Sequence, residues 1–130
     1  MVAALLAGLV LGAPGASAME FLTRPDANRN SGLEVDVVVI YANDAIDPLS
    51  QMSADEWFSG KQDMMANYAN AIDVVHIELP PGMREHVTWP ARANKMVAAY
   101  LFAHYQTPGD HRIEVAWDTG LVSFGADDIE

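Results

Sequence analysis

The residues best placed to do chemistry are oxygen donors at alternate positions. Asp26, Asn28 and Asn30 have the spacing with which the first half of a calcium loop presents its ligands. The match stops there. Ser31 stands where that loop needs glycine, and Val37 stands where a bidentate glutamate would close the shell. Asx side chains bonding to their own turn account for the pattern better. Four histidines, His76, His86, His104 and His111, are the other candidate ligands. None forms the i, i+4 pair of a helical zinc site, though His76 and His104 could lie on neighbouring strands. Exposed or core-satisfied imidazoles are the simpler reading.

Nucleophilic catalysis has little support. The chain has no G-x-S-x-G elbow and no glycine-rich phosphate loop, and its serines fall in turns or caps. It has no cysteine, which removes disulfides, thiol chemistry and thiolate metal sites together. Acidic neighbours such as Asp55/Glu56 and Asp127/Asp128 carry little information in so acidic a chain. Trp57 and Phe58 read as core.

The elements that must position these residues are mostly strands. In Leu33–Tyr41, five of nine residues are β-branched, a composition that suits a pleated surface. Glu34 and Asp36 alternate with apolar neighbours, and from Val37 both faces are apolar. The pattern predicts a strand that enters at a wet edge and then crosses a buried centre. Before it lies Arg24–Gly32, nine turn-forming residues, and long ordered loops of this kind often carry function. After it, residues 42–52 read as irregular. Ser53-Ala54-Asp55-Glu56 has the spacing of a capping box. The spacing predicts a short helix ending near Gly60 and a second helix over Lys61–Asn70. Further strands are expected at Glu20–Thr23, Ala71–Leu79, Arg84–Trp89, Met96–Tyr105, Arg112–Trp117 and Leu121–Phe124. Together these give an all-β fold, an antiparallel β-sandwich with a short helical insertion.

Length and charge bound the function. The 130 residues predict one domain, and the net charge of −11, from 18 acidic and 7 basic residues, argues against nucleic acid and anionic lipid as partners. Residues 1–18 read as a secretory signal: an apolar run, a Gly-Pro break and Ala16-Ser17-Ala18 before Met19. No Lys or Arg precedes the run, and the first basic residue is Arg24. Residues 19–130 then form the single mature domain.

The order of motifs resembles the TssJ family, the small outer-membrane lipoprotein of the type VI secretion membrane complex. Arg24-Pro25-Asp26-Ala27-Asn28 followed by Gly32 resembles the family's loop before its second strand. Val35–Tyr41 resembles its V-x-V-x-x-Y strand, and Ser53-Ala54-Asp55-Glu56-Trp57-Phe58 its acidic-aromatic helix start. Glu78-Leu79-Pro80-Pro81-Gly82 and Val97–Tyr105 resemble its turn and hydrophobic strand.

The resemblance implies a transthyretin-like sandwich and a non-catalytic role without cofactor. The implied partner is the periplasmic domain of the inner-membrane secretion subunit (TssM-like). The implied contact residues are Arg24, Pro25, Asp26, Asn28, Arg29, Asn30 and Ser31, and two arginines in an acidic chain suggest an acidic groove opposite them. The chain departs from the family at the lipobox: Leu5-Leu6-Ala7-Gly8 is followed by Leu9 rather than cysteine, so no direct lipid anchor is evident. The expected location is the periplasm, with association to the outer membrane left open. The alternative is a periplasmic small-ligand or calcium-binding β-sandwich.

Overall fold

The β-branched run predicted to cross the centre of the molecule does so. In a computed structural model describing residues 18–130, β2 (Leu33–Ile40) lies inside a four-stranded sheet. It pairs antiparallel with β3 (Ile72–Leu79) over eight positions and with β5 (Ala98–Ala103) over six. The short β6 (Arg112–Glu114) completes the order β3-β2-β5-β6. A three-stranded sheet, β4-β1-β7, is formed by β1 (Ala18–Thr23), β4 (Arg84–Thr88) and β7 (Leu121–Phe124). The expected signal peptide falls on residues 1–17, outside the described residues, and on Ala18, which is the first residue of β1.

Alternation along β2 sorts its side chains into two cores. Leu33, Val35, Val37 and Val39 face the three-stranded sheet and meet Met19, Phe21, Val87, Val122 and Phe124. Val38 and Ile40 face the other way and pack with Phe102, Trp57 and Leu49 beneath two helices. The sandwich thus carries a third layer, α1 (Ile46–Ser50) and α2 (Ala54–Asn67), on the outer face of the larger sheet.

Four expectations change. The sandwich is not wholly antiparallel, because β1 and β7 run parallel. Parallel strands need a long crossover, and here nearly the whole domain supplies it. Residues 46–50 are helical rather than irregular; Pro48 fits because it lies in the first turn, where an N–H has no intrahelical partner. Gly60 does not end a helix. One helix runs from Ala54 to Asn67. Its start is the predicted capping box, with Glu56 N–H donating to Ser53 Oγ at 3.1 Å and Ser53 N–H to Glu56 Oε1 at 2.8 Å. Its continuity comes from packing: Trp57, Phe58, Met64 and Tyr68 recur on the face turned to the sheet, and Trp57 stacks on Phe102 at 5.3 Å.

Asp36 is the largest departure. It lies not on a wet edge but fully buried, with 0% exposure. Trp57 Nε1 and Lys61 Nζ, both from α2, donate to its Oδ2 at 2.8 and 2.9 Å, and His76 Nδ1 on β3 meets Oδ1 at 2.5 Å. The carboxylate is what an unmatched aspartate in a central strand requires: a cation and hydrogen-bond donors that replace water.

Two stability measurements follow. Asp36→Ala should cost about 3–5 kcal/mol in denaturant unfolding, because Lys61 and the Trp57 indole N–H lose their acceptor. Gly60→Ala should raise stability by about 0.5–1 kcal/mol, since a Cβ there meets nothing within 4 Å and the helix gains propensity.

Candidate partner-binding surface

The connection β1–β2 (residues 24–32), the turn β3–β4 (residues 80–83), the connection β5–β6 (residues 104–111) and the segment after β7 (residues 125–130) gather at one end of the sandwich. Their bonds to one another show it. Thr23 Oγ1 donates to the Pro80 carbonyl at 2.7 Å, and Gly82 N–H to the Arg24 carbonyl at 3.1 Å. Asn28 N–H donates to the Gly125 carbonyl, and Gln106 N–H to Asn28 Oδ1 at 2.8 Å.

The long loop is ordered and strained. It makes a 3-10 turn at Ala27–Asn30 in which Asn28, Arg29 and Asn30 all have positive φ, at 48°, 54° and 65°. Asparagine tolerates this region because its short side chain can bond locally; arginine has no such compensation. The neighbours hold the conformation in place. Asn28 is buried, accepts from Gln106, and donates Nδ2–H to the Gly32 carbonyl at 3.0 Å. Gln106 Nε2 donates to the Asn28 carbonyl and to Ser31 Oγ. Strain held by surrounding contacts is characteristic of surfaces that must present a fixed shape.

Of the residues expected to meet a partner, Arg24, Pro25, Asp26, Arg29 and Asn30 are exposed, and Ser31 is half-buried. Asn28 is not free to touch anything else and instead pins the loop from beneath. Its side-chain oxygen turns inward to accept from the Gln106 amide rather than standing open beside Asp26 and Asn30.

The electrostatics differ from the expected basic face. Arg29 Nε lies 2.8 Å from Asp127 Oδ1, and Arg24 approaches Asp26 and Glu130 at 3.6 and 3.7 Å. Both cations are matched by acids of the same chain. Three carboxylates, Asp26, Asp127 and Glu130, lie beside the two arginines, so the loop is not basic as folded.

His111 clasps the end together. It is buried at the foot of the β5–β6 connection, with φ of 45°. Nδ1 lies 2.7 Å from Asp128 Oδ1 and Nε2 lies 2.8 Å from the Thr107 carbonyl. Both partners are acceptors, so a ring that makes both bonds at once donates from both nitrogens, which favours the protonated form. Burial alone would lower its pKa; the bonds to Asp128 and Thr107 outweigh that and raise it above the ordinary value. Thr107 Oγ1 adds a bond to the Asp127 carbonyl at 2.8 Å, and the Tyr105 ring packs against the imidazole at 4.8 Å. His111, Gln106 and the acidic segment 127–130 were not legible as part of this surface, because only long-range contact unites them with the loop.

Elsewhere, the histidines divide. His76 and His104 do not share neighbouring strands; β2 runs between them, and His104 Nδ1 lies 3.2 Å from Glu34 Oε1 while its ring stacks on Phe58 at 4.5 Å. His86 is exposed on β4, 3.8 Å from Glu20. At the opposite end of the sheet, Tyr41 donates to Asp73 at 2.7 Å, and Arg92 lies over the Tyr41 ring and binds the same carboxylate. Burial and the hydrogen bond to Asp73 hold the Tyr41 phenol well above its usual pKa, which suits a structural role rather than a nucleophile.

No protein-family model and no curated protein sequence matches the chain. Solved structures do. A chain of a type VI membrane complex superposes with a TM-score of 0.67 at 15% identity, covering 88% of this chain and 95% of that one. The lipoprotein TssJ1 of Pseudomonas aeruginosa gives 0.65 at 10% identity, covering 88% and 92%. Lip of Serratia marcescens, a membrane-bound component of the type VI secretion system, gives 0.60 at 13%, covering 88% and 94%. The fold is that of TssJ. The resemblance read from ordered motifs is thereby matched by three-dimensional structure, at identities that establish fold alone. Among the described residues, no helix of this TssJ fold is long and apolar enough to cross a membrane.

Two outcomes test the geometry of this end. Asn28→Ala should cost about 1–3 kcal/mol in unfolding free energy, because the Gln106 amide loses its acceptor and alanine resists positive φ. His111 has a folded-state pKa raised above its unfolded value of about 6.5, so its contribution is complete below that pH and is lost as pH rises through the folded pKa. Amide exchange at Gln106 and Ile129, corrected for intrinsic pH dependence, should therefore accelerate from pH 6 to pH 9. In His111→Gln that acceleration should disappear.

Proposed function

We propose that this protein is a non-catalytic envelope subunit of a type VI-like secretion membrane complex. It docks through the end that carries residues 24–32 onto the periplasmic part of the large inner-membrane subunit. The observation that carries the proposal is the TssJ fold over 88% of the chain, including its likeness to a chain of a type VI membrane complex. A further superposition, with a TM-score of 0.66, is to a chain in the structure of the TssM C-terminal domain from EAEC.

The surface chemistry supports a fixed docking site. A strained loop, cross-braced by Gln106, Asn28 and His111, presents Arg29 and Asn30 at its crest without ordering cost on binding. Its acidic surround of Asp26, Asp127 and Glu130 favours basic groups on the partner rather than the acidic groove that the arginines alone suggested. In this reading residues 1–18 are an export signal and the protein works in the periplasm against the outer membrane. The transthyretin-like description of the sandwich belongs to the same reading.

Binding of the protein to the periplasmic domain of the inner-membrane subunit from the same genome, measured by biolayer interferometry, tests the proposal. The double variant Arg29→Glu, Asn30→Lys should weaken binding at least tenfold, while Lys95→Glu at the opposite end leaves it unchanged. Equal affinity of the double variant and the parent, with both folded by circular dichroism, would remove the loop from the interface.

A further inference from the structure

On the outer face of the larger sheet, just beyond the cover of α2, β2 and β3 place two glutamates in direct opposition. Glu34 and Glu78 are cross-strand partners in the β2–β3 register. Like charges directly opposite one another destabilise an antiparallel pair, so this arrangement calls for a positive charge between them. His76, two residues before Glu78 on the same face, turns Nε2 to within 3.4 Å of Glu78 Oε2. One donor atom from each of Glu34, His76 and Glu78 falls within 4.8 Å of the others. Tetrahedral ligands around a zinc ion with bonds of about 2.1 Å stand about 3.4 Å apart, a spacing that small rotamer shifts of these exposed side chains can reach.

The orientation of His76 is the second observation. Its Nδ1 is held by the fully buried Asp36 carboxylate, which Trp57 and Lys61 hold in turn. A carboxylate that fixes one ring nitrogen of a histidine is the arrangement that supports metal-ligating imidazoles, and a metal ion at Nε2 would take the place of the proton that this nitrogen shares with Glu78, 3.4 Å away. The charges agree. Lys61 offsets Asp36, and Glu34 and Glu78 have only imidazoles beside them, His104 at 3.2 Å and His76 at 3.4 Å. The strands beneath are rigidly paired, and an open cleft of about 360 Å³ reaches the site past Gly32, Pro80 and Pro81.

We propose that Glu34, His76 and Glu78 form a binding site for a divalent transition-metal ion, with zinc the best match. One imidazole nitrogen and two carboxylates suit zinc, whereas calcium and magnesium take oxygen ligands in larger number. The remaining coordination position faces solvent. This site is separate from the docking reading and does not depend on it.

Isothermal titration of the untagged, metal-free full chain with zinc chloride at pH 7.5 is the test. One-to-one binding is expected, weakened at least tenfold in each of Glu34→Gln, His76→Gln and Glu78→Gln, with calcium chloride giving no comparable heat. A thermal melt supplies a second readout. Glu34→Gln, Glu78→Gln should melt higher than the parent without metal and should lose the zinc-dependent rise in Tm that the parent shows. Zinc binding that survives in His76→Gln, binding of calcium at equal strength, or no saturable zinc binding would each overturn the proposal.

Discussion

The carboxylate of Asp36 joins three parts of the molecule that hydrophobic packing alone would leave free to slide. It belongs to the central strand, accepts from the helix through Trp57 and Lys61, and reaches the neighbouring strand through His76. A helix resting on a sheet through apolar contacts has many nearly equal seatings. A buried charge has very few, because every alternative position leaves it without a cation or a donor. The register of α2 on the sheet, the stacking of Trp57 on Phe102 and the aim of the His76 ring all follow from satisfying that one group.

A different kind of constraint operates at the loop end. Tyr105 and Ile129 tie it to the main core. Above that contact it is held by a lattice of hydrogen bonds in which Asn28, Gln106, Thr107 and His111 each use nearly all their polar atoms. Such a lattice fixes shape well, and it responds to protonation as a core would not. The loop end is thus the polar counterpart of the packed body behind it.

Much of the body was legible in the chain. The β-branched run Val35–Ile40 marked the central strand, the Ser53–Glu56 spacing marked the start of α2, and the alternation of Ile113, Val115 and Trp117 marked the inward face near β6. These signals are local. What was misread depends on distant partners. Asp36 looks like a solvent-side residue until α2 folds over it. Gly60 looks like a stop until Trp57 and Met64 on either side of it are anchored to the sheet. Arg24 and Arg29 look like free cations until the segment 127–130 arrives beside them. Periodicity reports how a stretch meets its surroundings, not which distant residue those surroundings contain.

The parallel pairing of β1 with β7 has a consequence for how the molecule is made. Glu20 to Thr23 can find Leu121 to Phe124 only after almost the entire domain has been produced. The pieces that brace the loop end, Gly125 to Glu130, come later still. Contacts of such long sequence separation form late and slowly. A nascent or truncated chain can therefore assemble β2, β3 and the helices while the loop end is still unfinished. A partner that read this end would meet only chains in which residues 121–130 are already in place.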